Sequence, residues 1–352
     1  MRCEFRALAV GGENVCDAHY DDPRGEFAFN RPDQWIPKTE VMEFELGNLR
    51  LAETRLRALS LATPFNKLPK DRLVGPPQEE FPTGIDVMVV SAQPIEKDLP
   101  RIAILPHFIR YAAQQENRYY IELHGSFSEY LKKFSARTRQ TLARRVRRFA
   151  EFSGGEICWQ EYHSGQEMLE FHRLAREVSE KTYQEELHLG LPDSDEFRLA
   201  MVDQASRGLL MGYLLFHKTR PVAFDCCLMR DGNILSKWPG YDPEFSKWAP
   251  GNVLLYLTLE KLFRQKRFAV FDFGQTEFAY KAFFATGHTR CARMLYFPRN
   301  SYNLALVAAH NVLQGVSLSG GKILETFRLK AATKQTLAWL SHISGRRNPS
   351  RR

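Results

Sequence analysis

The spacing of apolar positions changes several times along this chain, and each change marks an element. Leu49 to Leu61 sets leucines at 49, 51, 56, 59 and 61 and reads as an amphipathic helix. Ile85 to Val90, Arg101 to Leu105 and Tyr119 to Leu123 are short apolar runs that read as strands. Ser126 to Phe149 contains helix, Gly154-Gly155 breaks it, and Glu156 to Glu161 reads as a strand. Glu167 to Ser179 returns to helical spacing. Leu209 to Phe216, Pro221 to Met229 and Asn233 to Trp238 make three strands joined by turns at Thr219-Arg220 and Asp231-Gly232. Leu254, Leu255, Leu257, Leu259 and Leu262 then form the apolar part of a helix running to about Lys266. Phe268 to Gly274 is a buried-strand pattern, Tyr280-Lys281 sits on a short helix, and Arg290 to Phe297 is a last strand. Residues up to about Pro37 are polar and turn-rich, and a loop rich in proline and charge runs from Pro64 to Pro82. Two helices, near Tyr302 to Val316 and Lys322 to Ser341, lead to an arginine-rich tail.

That order predicts an α/β (α+β) protein. A meander of hairpin-linked strands followed by a strand–helix–strand crossover makes a mixed, mostly antiparallel twisted sheet flanked by helices. Its parallel step falls between the strand ending near Trp238 and the one starting near Phe268. Between them, Ala249-Pro250-Gly251-Asn252 has the chemistry of a helix start, with proline in the first turn and a glycine that lets another molecule approach the backbone. A helix N-terminus beside the carboxyl end of a strand gathers unpaired N–H groups and the positive end of the helix dipole, which suits a phosphate. An ordinary crossover with nothing bound fits the same residues.

At 352 residues, with 44% hydrophobic and 26% charged, the chain is long enough for two domains with separate cores. No apolar run approaches the roughly 20 residues of a membrane helix, and the N-terminus lacks a signal-peptide core, so a cytoplasmic protein is expected. Six cysteines form no CxxC pair and no metal-ligand spacing with histidine, which points to reduced thiols and no structural metal. The net charge of +8 favours an anionic partner: a nucleotide, an acyl carrier protein, tRNA or a membrane surface.

Several segments in this order carry a resemblance. They are Tyr119-Tyr120-Ile121-Glu122-Leu123, Tyr130 to Ser135 with the arginine helix behind it, Gly212 to Phe216, and Pro221-Val222-Ala223-Phe224. Gly240-Tyr241-Asp242-Pro243, Pro250-Gly251-Asn252-Val253-Leu254, Asp272-Phe273-Gly274 and Tyr280 to Phe284 follow. Together they resemble the GNAT acyltransferase fold, in its cellulose- and exopolysaccharide-associated (CelD-like) branch related to the FemAB aminoacyltransferases. The resemblance implies tandem GNAT-like domains: a reduced one at 1–118, a complete one at 119–300, and C-terminal helices at 301–352 packing back on the first. It implies no tightly bound cofactor and an acyl-CoA or acyl carrier protein as donor co-substrate. The acyl group passes directly to an amine or hydroxyl of a small-molecule or saccharide acceptor, in polysaccharide or cell-envelope synthesis. The donor arm would lie on Pro250, Gly251, Asn252 and Val253, with its thioester near Trp238 and Phe271. Tyr280 or Lys281 would serve the departing sulfur, and Asp272 or Glu277 would take the acceptor's proton. Two features depart from the family pattern. The loop before Asn252 offers one glycine where Arg/Gln-x-x-Gly-x-Gly/Ala is usual, and Tyr280 lies seven residues before Gly287.

Six arginines, Arg137, Arg139, Arg144, Arg145, Arg147 and Arg148, share one helix, where Leu142, Val146 and Phe149 form the apolar stripe. A solvated face explains most of them; Arg139, flanking the stripe, is the acceptor-facing candidate, with Tyr183 and Tyr241 as further acceptor contacts. The basic segment from Lys322 to Trp339 suits packing on the N-terminal region or peripheral contact with the inner face of a membrane. Two other functions fit the sequence: an aminoacyl-tRNA-dependent transferase using the arginine helix, and a non-catalytic binding scaffold.

Overall fold

The computed structural model describes residues 35–46, 49–61, 73–76, 81–182, 185 and 190–316. Eleven strands form one sheet in the order β1-β2-β3-β11-β5-β10-β9-β8-β7-β6, with β4 paired to β5. The amino-terminal half comprises β1 (Trp35–Leu46), β2 (Leu49–Leu61), β3 (Val87–Pro94), β4 (Ile102–Ile104) and β5 (Phe108–Glu122). Helices α1 (Phe127–Leu131) and α2 (Ala136–Ser153) follow, then β6 (Cys158–Tyr162), α3 (Gly165–Ser179) and α4 (Asp195–Ser206). The meander is β7 (Leu210–His217), β8 (Arg220–Arg230) and β9 (Asn233–Tyr241). A 3-10 turn (Pro243–Trp248), α5 (Pro250–Gln265), β10 (Val270–Asp272), α6 (Ala279–Phe284) and β11 (Gly287–Pro298) complete the sheet. A helix over 301–316, α7, ends the described chain.

The mixed sheet and its parallel step are as the sequence predicts: β9 and β10 run parallel over Val270↔Asn233 to Asp272↔Leu235. The helix expected over Leu49 to Leu61 is instead β2, paired along its length with β1 and, through Ala58 to Leu61, with β3. Leu56, Ala58 and Ser60 point inward while Arg55 and Arg57 stay exposed. Its leucines satisfy both periodicities, and pairing on two edges settles the choice. Strand β5 is three times longer than the run from Tyr119 to Leu123 suggested. β1 and α4 had no counterpart in the sequence reading.

Two strands knit the halves together. β5 and β11 pair from Phe108↔Pro298 to Tyr120↔Gly287, so β5 passes residue 118 without interruption. On its other edge β5 pairs with β4 near Ile109–Tyr111 and with β10 at Tyr120–Glu122. Between those pairings its residues face the junction of the two halves.

Helices cover both faces of the meander. Leu142 and Phe149 of α2, with Val253, Leu259 and Leu262 of α5, pack on Tyr213, Ile234 and Phe271. On the opposite face Phe171 of α3 and Phe197 of α4 pack on Leu214, Phe224 and Trp238. The starts of α1, α2 and α3 are fixed locally: Ser126 and Ser164 form capping boxes with Glu129 and Glu167, and Ser135 caps α2. α7 lies on the amino-terminal half, where Val307 is buried and His310 Nδ1 is 2.9 Å from the Tyr111 hydroxyl.

Close packing sets a sharp requirement at Gly212 of β7. A Cβ there would lie less than 3.0 Å from the Phe171 ring, in a part of the core with no slack. Gly212→Ala is expected to destabilise the protein by about 1–3 kcal/mol in urea unfolding. An unchanged midpoint would mean that α3 does not press on this strand.

Candidate functional site

The site begins where β9 and β10 part. Their last paired residues are Leu235 and Asp272; β9 continues to Tyr241 while the other chain turns away at Phe273. At the same level the register of β8 with β9 slips, Cys227 facing Ser236 and Cys226 facing Trp238, so Lys237 is an extra residue on β9. This bulge reverses the alternation. Ser236 turns towards Asp225, whereas Trp238 packs edge-on against Phe197, 5.3 Å away, on the opposite face.

Beyond β9, the 3-10 turn delivers the chain to α5. Asp242 is fully buried and receives hydrogen bonds from Arg220 (2.6 Å), Lys181 (3.2 Å) and the Glu244 N–H (3.1 Å). Ala249 adopts the left-handed conformation (φ 51°, ψ 51°) and supplies no side-chain cap to α5. Pro250 has no N–H, and the first N–H groups of a helix lack intrahelical acceptors, so those of Gly251 and Asn252 remain available. Tyr241 stands over this start: a Cβ on Gly251 would touch its ring at 3.4 Å.

The carboxyl end of β10 carries the densest electrostatics. Asp272 is 1% exposed, and both its oxygens accept from Arg118 Nε, at 3.1 and 3.0 Å, with a further contact from the guanidinium Nη2. Its Oδ1 also accepts the Gly274 N–H at 2.9 Å. Lys281, 4% exposed, donates to the Phe273 carbonyl (2.8 Å), the Gln275 carbonyl (2.7 Å) and the Thr276 hydroxyl (2.9 Å). Burial lowers its ammonium to about 8, although the charges of Asp272, Glu116 and Asp225 oppose the shift. On the outside of the same loop, Glu277 accepts from Asn117 Nδ2 (2.6 Å) and the Tyr119 hydroxyl (3.2 Å). Tyr280 is exposed, stacked on Phe278 and edge-on to Phe273. Ser91, Gln114, Glu116, Asn117, Arg118 and Gln275 border a cavity of about 20 Å³ here, room for one water-sized group.

The structure thus gathers Asp272, Glu277, Tyr280 and Lys281 around one loop and sets Pro250, Gly251, Asn252 and Tyr241 around another. Val253, Phe271 and Trp238 are buried at 1%, 0% and 4% exposure, which leaves their main chain, not their side chains, to meet a ligand. Arg139 donates to the Phe134 carbonyl at 2.6 Å, at the joint of α1 and α2. Tyr183 lies outside the described residues. Two residues were missed from the sequence. Arg118 precedes the strand run recognised there, and only the need of a buried strand-end acid for a cation could have pointed to it. Asp225 looks like one polar residue in an apolar strand.

Asp225 sits at the bulge, 7% exposed, and accepts from the Ser236 hydroxyl at 2.9 and 2.8 Å. Burial lifts its carboxyl to about 6 against that hydrogen bond. The adjacent Cys226 and Cys227 are fully enclosed, and burial drives both thiols well above their ordinary value, away from thiolate chemistry. Among the described residues no three His, Cys, Asp or Glu side chains converge as metal ligands, and no helix is long and apolar enough to cross a membrane.

Residues 136–282, from α2 through Ala282 of α6, match the family model described as "Acetyltransferase (GNAT) domain". The chain carries a GNAT-type acetyltransferase domain and is an acyltransferase. The match to this GNAT-type domain includes the bulge, the parting strands and α5; Arg118 and β11 lie outside it. No curated protein matches the chain in sequence. Among solved structures, FemX is similar over 77% of this chain and 90% of its own, at 8% identity and a TM-score of 0.44. L-PGS from Bacillus licheniformis aligns with 64% of this chain and 73% of its own, at 14% identity and a TM-score of 0.39. A GCN5-related N-acetyltransferase from Kribbella flavida aligns with 55% and 61%, at 10% identity and a TM-score of 0.30.

The raised carboxyl of Asp225 has a measurable consequence. Its folded pKa of about 6 lies above the ordinary 3.8, so the native state holds this proton more tightly than the unfolded chain. The stabilisation is therefore complete below about pH 4 and lost as pH rises through 6, a change of about 3 kcal/mol. Asp225→Asn keeps an acceptor for Ser236 and cannot ionise. In urea unfolding it should exceed the parent's stability at pH 7, with the gap closing by pH 4. A gap independent of pH would show that Asp225 does not titrate in this range.

Proposed function

We propose that the chain transfers an acyl group from a thioester donor, acyl-CoA or an acyl carrier protein, directly to an amine or hydroxyl where β9 and β10 part. The observation that carries this reading is the coincidence of that parting with the Lys237 bulge, one loop away from the open start of α5. The free N–H groups of Gly251 and Asn252, at the positive end of the α5 dipole, suit the phosphates of a pantetheine arm. A bulged strand leaves a main-chain donor outside the ladder, and such a donor beside the thioester carbonyl stabilises the oxygen as charge builds on it.

The new bond forms between the acceptor's nitrogen or oxygen and the carbonyl carbon, and the carbon–sulfur bond breaks. Glu277, exposed on the β10–α6 loop, is suited to take the acceptor's proton, and Tyr280 to return one to the sulfur. Asp272 and Lys281 hold that loop: the carboxylate is committed to Arg118 and Gly274, and the ammonium to three oxygens. Direct transfer suits a site whose buried thiols stay protonated. The acceptor class that the CelD-like resemblance implies is a saccharide of the cell envelope or an extracellular polysaccharide, with the enzyme on the cytoplasmic side.

Gly251 provides the test. A tryptophan there must occupy the space over the first turn of α5, beside Tyr241. Gly251→Trp should raise the KM for acyl-CoA at least tenfold and remove the thermal stabilisation by acyl-CoA, which at 100 times Kd amounts to about 2.7 kcal/mol in the parent. Gly251→Ala, at ordinary contact distance, should change either little. Undiminished acyl-CoA binding by the tryptophan variant would remove α5 from the donor site.

A further inference from the structure

On the outer side of α2, Arg137, Arg144, Arg145, Arg147 and Arg148 are all exposed, and none has a carboxylate within ion-pair distance among the described residues. Several other surface arginines are paired: Arg173 with Glu177 (2.9 Å), Arg198 with Asp193 (2.5 Å), Arg207 with Asp203 (3.1 Å) and Arg290 with Asp98 (2.8 Å). Arg264, Arg267 and Arg299 are exposed without a carboxylate partner among the described residues, but they do not line up along one helix face. Separations of seven and four residues put Arg137, Arg144 and Arg148 on one line, about 16 Å long at the helical rise, flanked by Arg145 and Arg147. The arrangement works against the helix itself. Like charges three and four apart repel, and Arg137 stands in the first turn against the positive end of the dipole. Breaches of local rules of this kind concentrate at functional surfaces.

The line runs towards the entrance of the donor site. At its carboxyl end Arg148 lies 5.4 Å from the centre of the Trp248 ring, and Lys247 lies 5.2 Å from it. Phe152 of α2 stacks on the same ring at 4.1 Å, locking α2 to the turn that opens α5 two residues later. A ligand that satisfies both features must place a phosphate-bearing arm at the α5 N-terminus and a negatively charged rod along α2. Coenzyme A alone meets the first and leaves most of the arginine line empty. An RNA meets the second, but the aromatic ring at the line's end is stacked by Phe152 and flanked by two cations, so it offers little to an unpaired base.

We infer that α2 is the docking surface for an acidic carrier protein, whose acyl group reaches the parting of β9 and β10 on a phosphopantetheine arm past α5. An acidic helix laid along α2 would relieve the arginine repulsion and set the arm's root beside Gly251. The inference rests on the reading of α5 as the donor-side helix and adds the donor's identity to it.

The experiment compares one acyl group on two donors, an acyl carrier protein and coenzyme A, with the full chain and its Arg144→Glu/Arg148→Glu variant. Circular dichroism checks that the variant folds, and Arg144→Gln/Arg148→Gln supplies a milder second variant. The charge reversal should lower kcat/KM for the acyl carrier protein at least tenfold and alter that for acyl-CoA less than twofold. Raising salt from 50 to 200 mM should weaken only the carrier-protein reaction. Equal loss with both donors, or loss with neither, overturns the inference. So does binding of bulk tRNA or anionic vesicles that fails on charge reversal when carrier-protein binding does not. Should neither thioester donate, the proposed acyl transfer from thioesters fails. The α2 surface is then judged by fluorescence anisotropy of labelled, unacylated holo-carrier protein: tight binding lost on reversal supports it, and absence of binding sinks it.

Discussion

The buried pair of Arg118 and Asp272 is the interaction on which the rest of this architecture hangs. It joins β5, the strand common to both halves, to β10, a strand of only three residues between β5 and β9. The two residues sit diagonally across the ladder, since Asp272 faces Tyr120, and close side-chain approach is natural at that offset. Removing one partner of such a pair typically costs about 3–5 kcal/mol, because the other charge stays buried and alone. The pair also lies at the point where β9 leaves β10. A strand so short, paired with β9 over three residues that end at Asp272, would otherwise fray where the parting must have a fixed shape.

From that anchor the loop to α6 is tied down residue by residue. Thr276 has a φ of 79°, an unfavourable conformation for a β-branched residue, and Lys281 donates to its hydroxyl while also holding the Phe273 and Gln275 carbonyls. Gln275 reaches across to the Ser91 carbonyl of β3, so the loop spans the junction of the two halves. Both buried charges at this end of β10 are thus structural in their hydrogen bonding. Glu277 and Tyr280, exposed side chains of this segment, are held in place by the buried ones.

How much of this the sequence revealed depends on how local the cause was. The meander from Leu210 to Tyr241 was legible because its turns are two-residue punctuation and its apolar runs are continuous. The start of α5 was legible because proline and glycine act within one turn. β2 was misread because its leucine spacing suits two periods, and only pairing with β1 and β3, strands distant or unrecognised in the sequence, breaks the tie. Candidate site residues followed the same division. Asp272 and Lys281 stand out as charges in apolar surroundings, but their partners do not. Arg118 is separated from Asp272 by most of the domain, and the Lys237 bulge is a property of strand register that no single strand discloses.

The open start of α5 illustrates why such a site can be stable before anything binds. Ala249 takes a left-handed conformation disfavoured for a residue with a side chain, and no hydroxyl or carboxylate caps the helix. A helix end of this kind would ordinarily fray. Here the restraint lies one turn upstream, where buried Asp242 is held by Arg220 and Lys181 and itself caps the 3-10 turn, and where the ring stack of Phe152 on Trp248 fixes the last residues before Ala249. Stabilising the approach rather than the first turn keeps the Gly251 and Asn252 N–H groups free of intramolecular acceptors. A side-chain cap at position 249 would steady α5 and, by occupying those same donors, compete with the phosphate proposed to bind there.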